Sequence, residues 1–482
     1  MTDSKTDSPA AGNGLEEMKR LLDRQRQSYL ADGYPSLALR HDRLDRLASL
    51  LTAHSEDFAD AISQDFGSHS REASLLYDVA ALLSSIKHTK AHLADWLKPE
   101  VYDAPFPGTE ARVEFQPKGV IGVVSPWNFP VQLALGPVIG VLAAGNRSIL
   151  KPSELTPITS ELMQRLVAES FDETELAVVT GGPEIGAAFT ALPFDHLVFT
   201  GGTAVAHHVA RAAAENLTPL TLELGGKSPV IIGTSANFEQ AAGRIMAAKT
   251  LNAGQICLAP DYVFVERGLE EDFVEAARAA VATMFPTLKE NPDYTSIVNE
   301  RHYNRIKGLL DDAASNGATL VEINPAQEDF TQQSAHRIPP TLVLNTTRDM
   351  RIRHEEIFGP ALPVLSYGSV EEAIAQINAD PRPLALYYFG QDVNEERRIL
   401  DATTSGGVTI NDCISHVAVD DVPFGGIGDS GMGAYHGRWG FLSFSHPKAI
   451  FRQTDAPEGD ALLRPPYGEP VKQLLAQVLA RP

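Results

Sequence analysis

The run VIGVVS at residues 120–125 has no polar face, and it opens a long alternation of short apolar runs with amphipathic ones. A strand that is apolar on both faces belongs inside a parallel sheet covered by helices, so this alternation limits the chain more than any other feature. Before the run, ARVEFQP alternates in polarity and ends in a turn at Pro117–Gly119. After it, RSILKPS reads as a strand, Thr159–Ser170 as a helix, LAVVTGG as a strand, and HLVFTGG as a strand entering a helix from about Thr203. A second set begins near Gly225, with strands expected at Ser228–Ile232, Tyr262–Glu266, Thr341–Leu344, Leu362–Tyr367, Leu386–Phe389 and Gly407–Asn411. The pattern is that of a doubly wound α/β protein in two domains meeting near residues 224–258. Residues 15–96 repeat their leucines at helical spacing and form a helical layer in front of the first set.

Length supports more than one core, since 482 residues exceed what a single one organises. A net charge of −22 repels nucleic acid and anionic membrane surfaces. Neither is expected as a partner. Two cysteines, Cys257 and Cys413, give no disulfide framework, and the 14 histidines show no closely spaced ligand set, so no metal is expected. The polar start MTDSKTDSPAAGNG reads as a frayed tail rather than a signal peptide, and the ending VKQLLAQVLARP as a docked or frayed helix rather than an anchor. The expected location is the cytoplasm.

Several residues stand out for their chemistry. Glu223 in TLELGGKSP ends an apolar strand before two glycines, where a carboxylate is costly to bury without a purpose or a partner such as Lys227. Cys257 in GQICLAP is either a small buried hydrophobe or a nucleophile. Asn128 in SPWNFP follows the buried strand, where its amide could donate to an oxyanion. Lys151 and Glu154 in LKPSE lie at a strand end, the edge at which such sheets bind nucleotides. The glycines of FTGGTAVA sit between a strand and a helix N-terminus, a place suited to phosphate. HEEIFGP sets Glu355 and Phe358 three apart before a Gly-Pro turn.

Taken together and in this order, these stretches resemble the aldehyde dehydrogenase superfamily from about residue 110 to 450. GQICLAPDYV and the closing PFGGIGDSGMGAYHGRWGFLSFSHPKA resemble its class 3 branch. FPGTEARVEFQPKGVIGVVSPWNFP and NPDYTSI are most similar to the bacterial coniferyl aldehyde dehydrogenases. The resemblance implies a Rossmann-type cofactor domain at 1–100 and 118–224, an α/β catalytic domain at 225–420, and a small oligomerisation element at 101–117 and 441–452 that makes a homodimer. It implies that Cys257 is the nucleophile, Glu223 the base for hydrolysis and Asn128 an oxyanion donor. Trp127, Lys151, Ser153, Glu154, Thr200, Gly201, Gly202, Glu355 and Phe358 would hold the cofactor, with Lys151 and Glu154 at the adenosine ribose, Glu355 at the nicotinamide ribose and Phe358 at its ring. Many members carry serine where Gly202 stands. NAD is the favoured cofactor because Glu154 would repel a 2′-phosphate, while Ser153 leaves room for NADP. The expected substrate is an apolar or aromatic aldehyde, flanked by Phe129 and Leu258, with coniferaldehyde going to ferulate. The alternatives are a medium- or long-chain aliphatic aldehyde and, from another class, cofactor-independent thiol hydrolysis.

Overall fold

The computed structural model describes residues 9–104, 109–453 and 464–480. The first eight residues of the expected tail and residues 105–108 of the expected oligomerisation element lie outside them.

Three sheets organise the chain. The first has six strands in the order Gly431–Met432, Leu220–Leu224, His196–Gly201, Val120–Val124, Arg147–Lys151 and Leu176–Val178. All pair in parallel except the first, which runs antiparallel to Leu220–Leu224. Because side chains alternate across a strand, Ile121, Val123, Leu150 and Val198 face one helical layer while Val120, Ile149, Leu197 and Phe199 face another. The first layer holds helices Leu37–Ala53, Ser55–Phe66, Ala81–Trp96 and Gln132–Ala144; the second holds Pro9–Asp32, Pro183–Thr190 and Thr203–Ala214. Covering on both faces is the physical meaning of the unbroken apolar run that opens the alternation.

The second sheet has seven strands in the order Thr319–Glu322, Thr341–Leu344, Ala361–Tyr367, Pro260–Glu266, Ser228–Ile232, Ala385–Phe389 and Gly407–Ile410. All pair in parallel except the outermost, Thr319–Glu322. The third is a long antiparallel ribbon in which Ser445–Arg452 pairs with Glu110–Pro117 from end to end, with Glu100–Tyr102 on its other side.

Four features depart from the sequence reading. The first helix begins at Pro9, inside the stretch read as a tail, because proline suits a first helical turn and Met18, Leu21 and Leu22 dock the helix on Ile185 and Phe189. Residues Ser74–Ala80 form a π-helical turn inside the helical layer. Gly431–Met432 brings the chain back to the first sheet, and Thr319–Glu322 adds an edge to the second; both pair antiparallel, outside the alternation of parallel strands and helices. The C-terminal helix Glu469–Leu479 forms, with Leu474, Leu475, Val478 and Leu479 exposed.

Leu224 ends a strand of the first sheet, and Ser228 begins a strand of the second only four residues later. The carboxyl edge of one sheet therefore meets the amino edge of the other, and the chemistry-bearing residues lie along that seam.

Candidate active site

Cys257 lies on the amino-edge loop that enters strand Pro260–Glu266. Helix Phe238–Thr250 ends in a tight turn where Asn252 and Ala253 take left-handed φ values of 49° and 50°. That conformation is costly for alanine, and the loop is braced to hold it. Asn252 Nδ2 donates to Asn128 O at 2.9 Å, and Asn128 Nδ2 donates to Gln255 O at 3.0 Å. The Gln255 side chain donates to Ser296 O at 3.0 Å and accepts from Val298 N–H at 3.1 Å. Two residues before the cysteine, a fully buried glutamine thus pins its loop to a second segment, and Asn128 is pinned to the same loop with one amide hydrogen left over.

Cys257 is partly covered as a residue, and the surroundings of its thiol push it up to about 12. Desolvation does most of this, and the nearby carboxylates of Glu356 and Glu223 add to it. Opposing them, the backbone N–H groups of Cys257 and Leu258 both donate toward the sulfur.

Glu223 is paired with Thr200 on one side of its strand and Gly431 on the other. Its carboxyl is buried, and neither oxygen has a hydrogen-bond partner among the described residues. Burial raises its pKa well above the ordinary carboxylate range. Lys227 is not its partner: that ammonium pairs with buried Asp261 and donates to the carbonyls of Ile352 and Glu355 at 2.9 and 3.0 Å. Such an unpartnered buried carboxyl, beside a thiol and close to Tyr435, is a common signature of a functional site.

In the HEEIFGP stretch the two glutamates point in opposite directions. With Lys227 holding the carbonyls from inside, the Glu355 side chain turns outward and accepts from Arg351 Nε at 2.8 Å at the surface. Glu356 faces inward, accepts from Gly226 N–H at 3.1 Å, and lies where a Cβ on Gly225 would overlap both of its oxygens. Burial lifts its pKa to about 7, Asp261 adds to this, and the Gly226 hydrogen bond and Lys227 oppose it. Two adjacent glutamates give no sequence signal for which one faces in.

Phe358 has a φ of 47° and meets Trp127 edge-on at 5.4 Å between ring centroids. Trp127 also packs on His302 at 5.0 Å and Phe66 at 6.1 Å. Phe129 stands against Tyr77 of the π-helical turn at 6.4 Å, and Leu258 is buried. Asp78 of the same turn accepts the N–H groups of Val131 and Gln132 at 3.0 Å each, fixing the segment that follows Asn128. Asn411 lies at the opposite edge of the second sheet, where its amide bonds both N–H and C=O of Gly390 at 2.9 Å. It satisfies a turn.

The residues expected to hold a cofactor line the carboxyl edge of the first sheet. Lys151 is buried and donates to Pro152 O at 3.0 Å and Glu154 Oε2 at 3.2 Å. Ser153 Oγ accepts from Leu155 N–H at 3.2 Å. Thr200 Oγ1 is buried without a partner, and Gly201 and Gly202 lead into helix Thr203–Ala214. A Cβ on Gly202 would meet nothing within 4 Å, so this helix end opens onto free space. An open helix N-terminus with a lysine on the next strand but one suits the pyrophosphate and ribose of a dinucleotide. Among the described residues no group of three or more His, Cys, Asp or Glu could hold a metal.

The model of the aldehyde dehydrogenase family matches residues 23–450. A probable coniferyl aldehyde dehydrogenase of Caulobacter vibrioides is 55% identical over 465 residues, which are 95% of this chain and 96% of the relative. The coniferyl aldehyde dehydrogenase of a Pseudomonas species is 51% identical over 97% of each. A solved structure described as the substrate-bound state of Staphylococcus aureus AldH has a TM-score of 0.90 at 35% identity, over 96% of this chain and 99% of that one.

Proposed function

This chain belongs to the aldehyde dehydrogenase family, and from that premise we propose that it oxidises coniferaldehyde to ferulate with NAD, through Cys257. The observation that carries the reading is the meeting of a thiol and an unpartnered carboxyl, Cys257 and Glu223, at the seam between two sheets.

Once deprotonated, the Cys257 sulfur attacks the aldehyde carbon; a C–S bond forms and the carbonyl π pair moves to oxygen. The Cys257 N–H and the free amide hydrogen of Asn128 are the donors for that oxyanion. NAD(P), the family's cofactor, supplies when bound the hydride acceptor that turns the adduct into a Cys257 thioester. Glu223, with no internal partner to compete, takes a proton from the water that attacks the thioester; the C–S bond breaks and the acid leaves. Gly201, Gly202 and Lys151 would hold the dinucleotide at the first sheet, with Thr200, Ser153 and Glu154 beside them. Glu356 takes the nicotinamide-ribose role assigned to Glu355 from sequence, and Phe358 with Trp127 forms the wall against the ring.

An aromatic substrate is supported by the coniferyl aldehyde dehydrogenases at 51–55% identity and by the Phe129–Tyr77 pair beside Asn128. NAD over NADP is supported by the carboxylate of Glu154 at the ribose edge. A homodimer is supported by the outer strand Ser445–Arg452, whose free edge exposes Phe451. No helix among the described residues is long and apolar enough to cross a membrane; we place the enzyme in the cytoplasm.

The test is nicotinamide reduction by the purified protein with NAD and NADP against coniferaldehyde, benzaldehyde and a medium-chain alkanal. The highest kcat/KM is expected for coniferaldehyde with NAD. A preference for the alkanal would discard the substrate and keep the mechanism.

A further inference from the structure

Away from the seam, a cavity of about 400 Å³ opens at the carboxyl edge of the second sheet, lined by Leu344, Thr346, Arg353, Ser366, Gln376 and Glu271 among others. Leu344 ends one strand and Ser366 lies near the end of its neighbour, so the cavity sits at the opposite end of this sheet from Cys257. Its lining is mostly polar side chains. Two of them are unspent. Arg353 is only 8% exposed, yet its guanidinium has no hydrogen bond or ion pair among the described residues. Thr346 Oγ1 is likewise buried without a partner. Asp380, whose carboxylate acts on Arg353, is paired with Arg348 at 3.2 Å.

A guanidinium carries five donors in a planar fork, and that of Arg353, unspent within the protein, lines the cavity. The fork matches a carboxylate, bidentate and coplanar, better than any neutral group. Glu270 and Glu271 limit the charge that can enter. Glu270 is occupied by the Gly268 N–H at 2.7 Å, while Glu271 is exposed at the rim and repels a polyanion. Arg353 offers one positive charge, and the two carboxylates in the same lining oppose any ligand that carries more than one negative charge. We propose that this cavity is a second ligand site, which binds a small monocarboxylate on Arg353 with Thr346, Ser366 and Gln376 completing the polar shell.

The site is joined to the catalytic seam by the chain itself. Arg353 ends the helical turn Arg351–Arg353, and three residues later Glu356 faces Cys257. Lys227 grips this connection at Ile352 O and Glu355 O. A carboxylate on Arg353 therefore acts on the loop that positions Glu356.

The test is titration of the full-length protein with acetate, and separately with inorganic phosphate, followed by calorimetry and thermal unfolding at constant ionic strength. It is run with and without saturating NAD, which occupies the dinucleotide cleft. Saturable acetate binding is expected under both conditions, phosphate binding at least about tenfold weaker, and loss of the acetate effect in Arg353→Met. Thr346→Val and Gln376→Leu provide milder variants, expected to weaken acetate several-fold, should Arg353→Met fail to fold. Acetate binding that is unchanged in these variants, or absent from the wild type, would overturn the proposal, and phosphate binding as tight as acetate would refute the single-charge argument.

Discussion

The environment of Cys257 makes an unusual demand: the proposed nucleophile is poorly ionised in the protein without cofactor. A free cysteine titrates near 8.5, whereas this thiol is raised to about 12. At neutral pH its thiolate fraction is lower by about three and a half powers of ten. A more basic thiolate is intrinsically more nucleophilic, which returns roughly one and a half of them. Alkylation by iodoacetamide should therefore run about a hundredfold slower than for a free thiol and rise about tenfold per pH unit between pH 7 and 10. Glu356→Gln removes a carboxylate that is largely ionised above pH 8 and opposes the thiolate, so alkylation there should quicken by about tenfold. Glu355→Gln, which changes only a surface pair with Arg351, should leave it unchanged. Mass-spectrometric rates in a Cys413→Ser background isolate the single thiol. A flat pH profile, or acceleration by Glu355→Gln rather than Glu356→Gln, would refute both the raised thiol and the assignment of the inward glutamate.

Asp78 is raised to about 7 by burial, above its unfolded value, so it stabilises the fold at low pH and that contribution fades as pH rises from about 4 through 7. Asp78→Asn, keeping the acceptor for Val131 and Gln132, should raise Tm at pH 8 more than at pH 5. Lys227→Met leaves Asp261 buried without its ion pair and should cost about 3–5 kcal/mol in denaturant unfolding. Gly225→Ala puts a methyl against the Glu356 carboxylate and should lower kcat/KM about tenfold or more, with little loss of secondary structure by circular dichroism.

The sequence revealed the parts of the fold that rest on period. The apolar runs at Val120–Val124 and Ser228–Ile232 are covered on both faces, and the expected strands of the second sheet all form. Thr319–Glu322 and Gly431–Met432 escaped because both pair antiparallel at a sheet edge, outside the alternation of parallel strands and helices from which the others were read. The site was legible to the extent that a motif fixes which residue faces in. Cys257, Asn128 and Glu223 lie together along the seam, whereas HEEIFGP contains two glutamates, of which the second faces inward. Gln255 carried no signal, being a polar residue beside a cysteine whose partners, Ser296 and Val298, are about forty positions away.

The return of the chain at Gly431–Met432 has a consequence for how this protein is made. Strand Leu220–Leu224 is the edge of the first sheet until those two residues arrive, and the ribbon Glu110–Pro117 waits longer still for Ser445–Arg452. During synthesis the first half can collapse around its parallel strands, yet it keeps two unpaired edges while some two hundred further residues emerge. One of those edges carries Glu223. The nascent protein is thus open to strand addition by a neighbouring chain at the strand that carries the proposed base, and a ribosome stalled before residue 431 should release a species that aggregates rather than a stable half-enzyme.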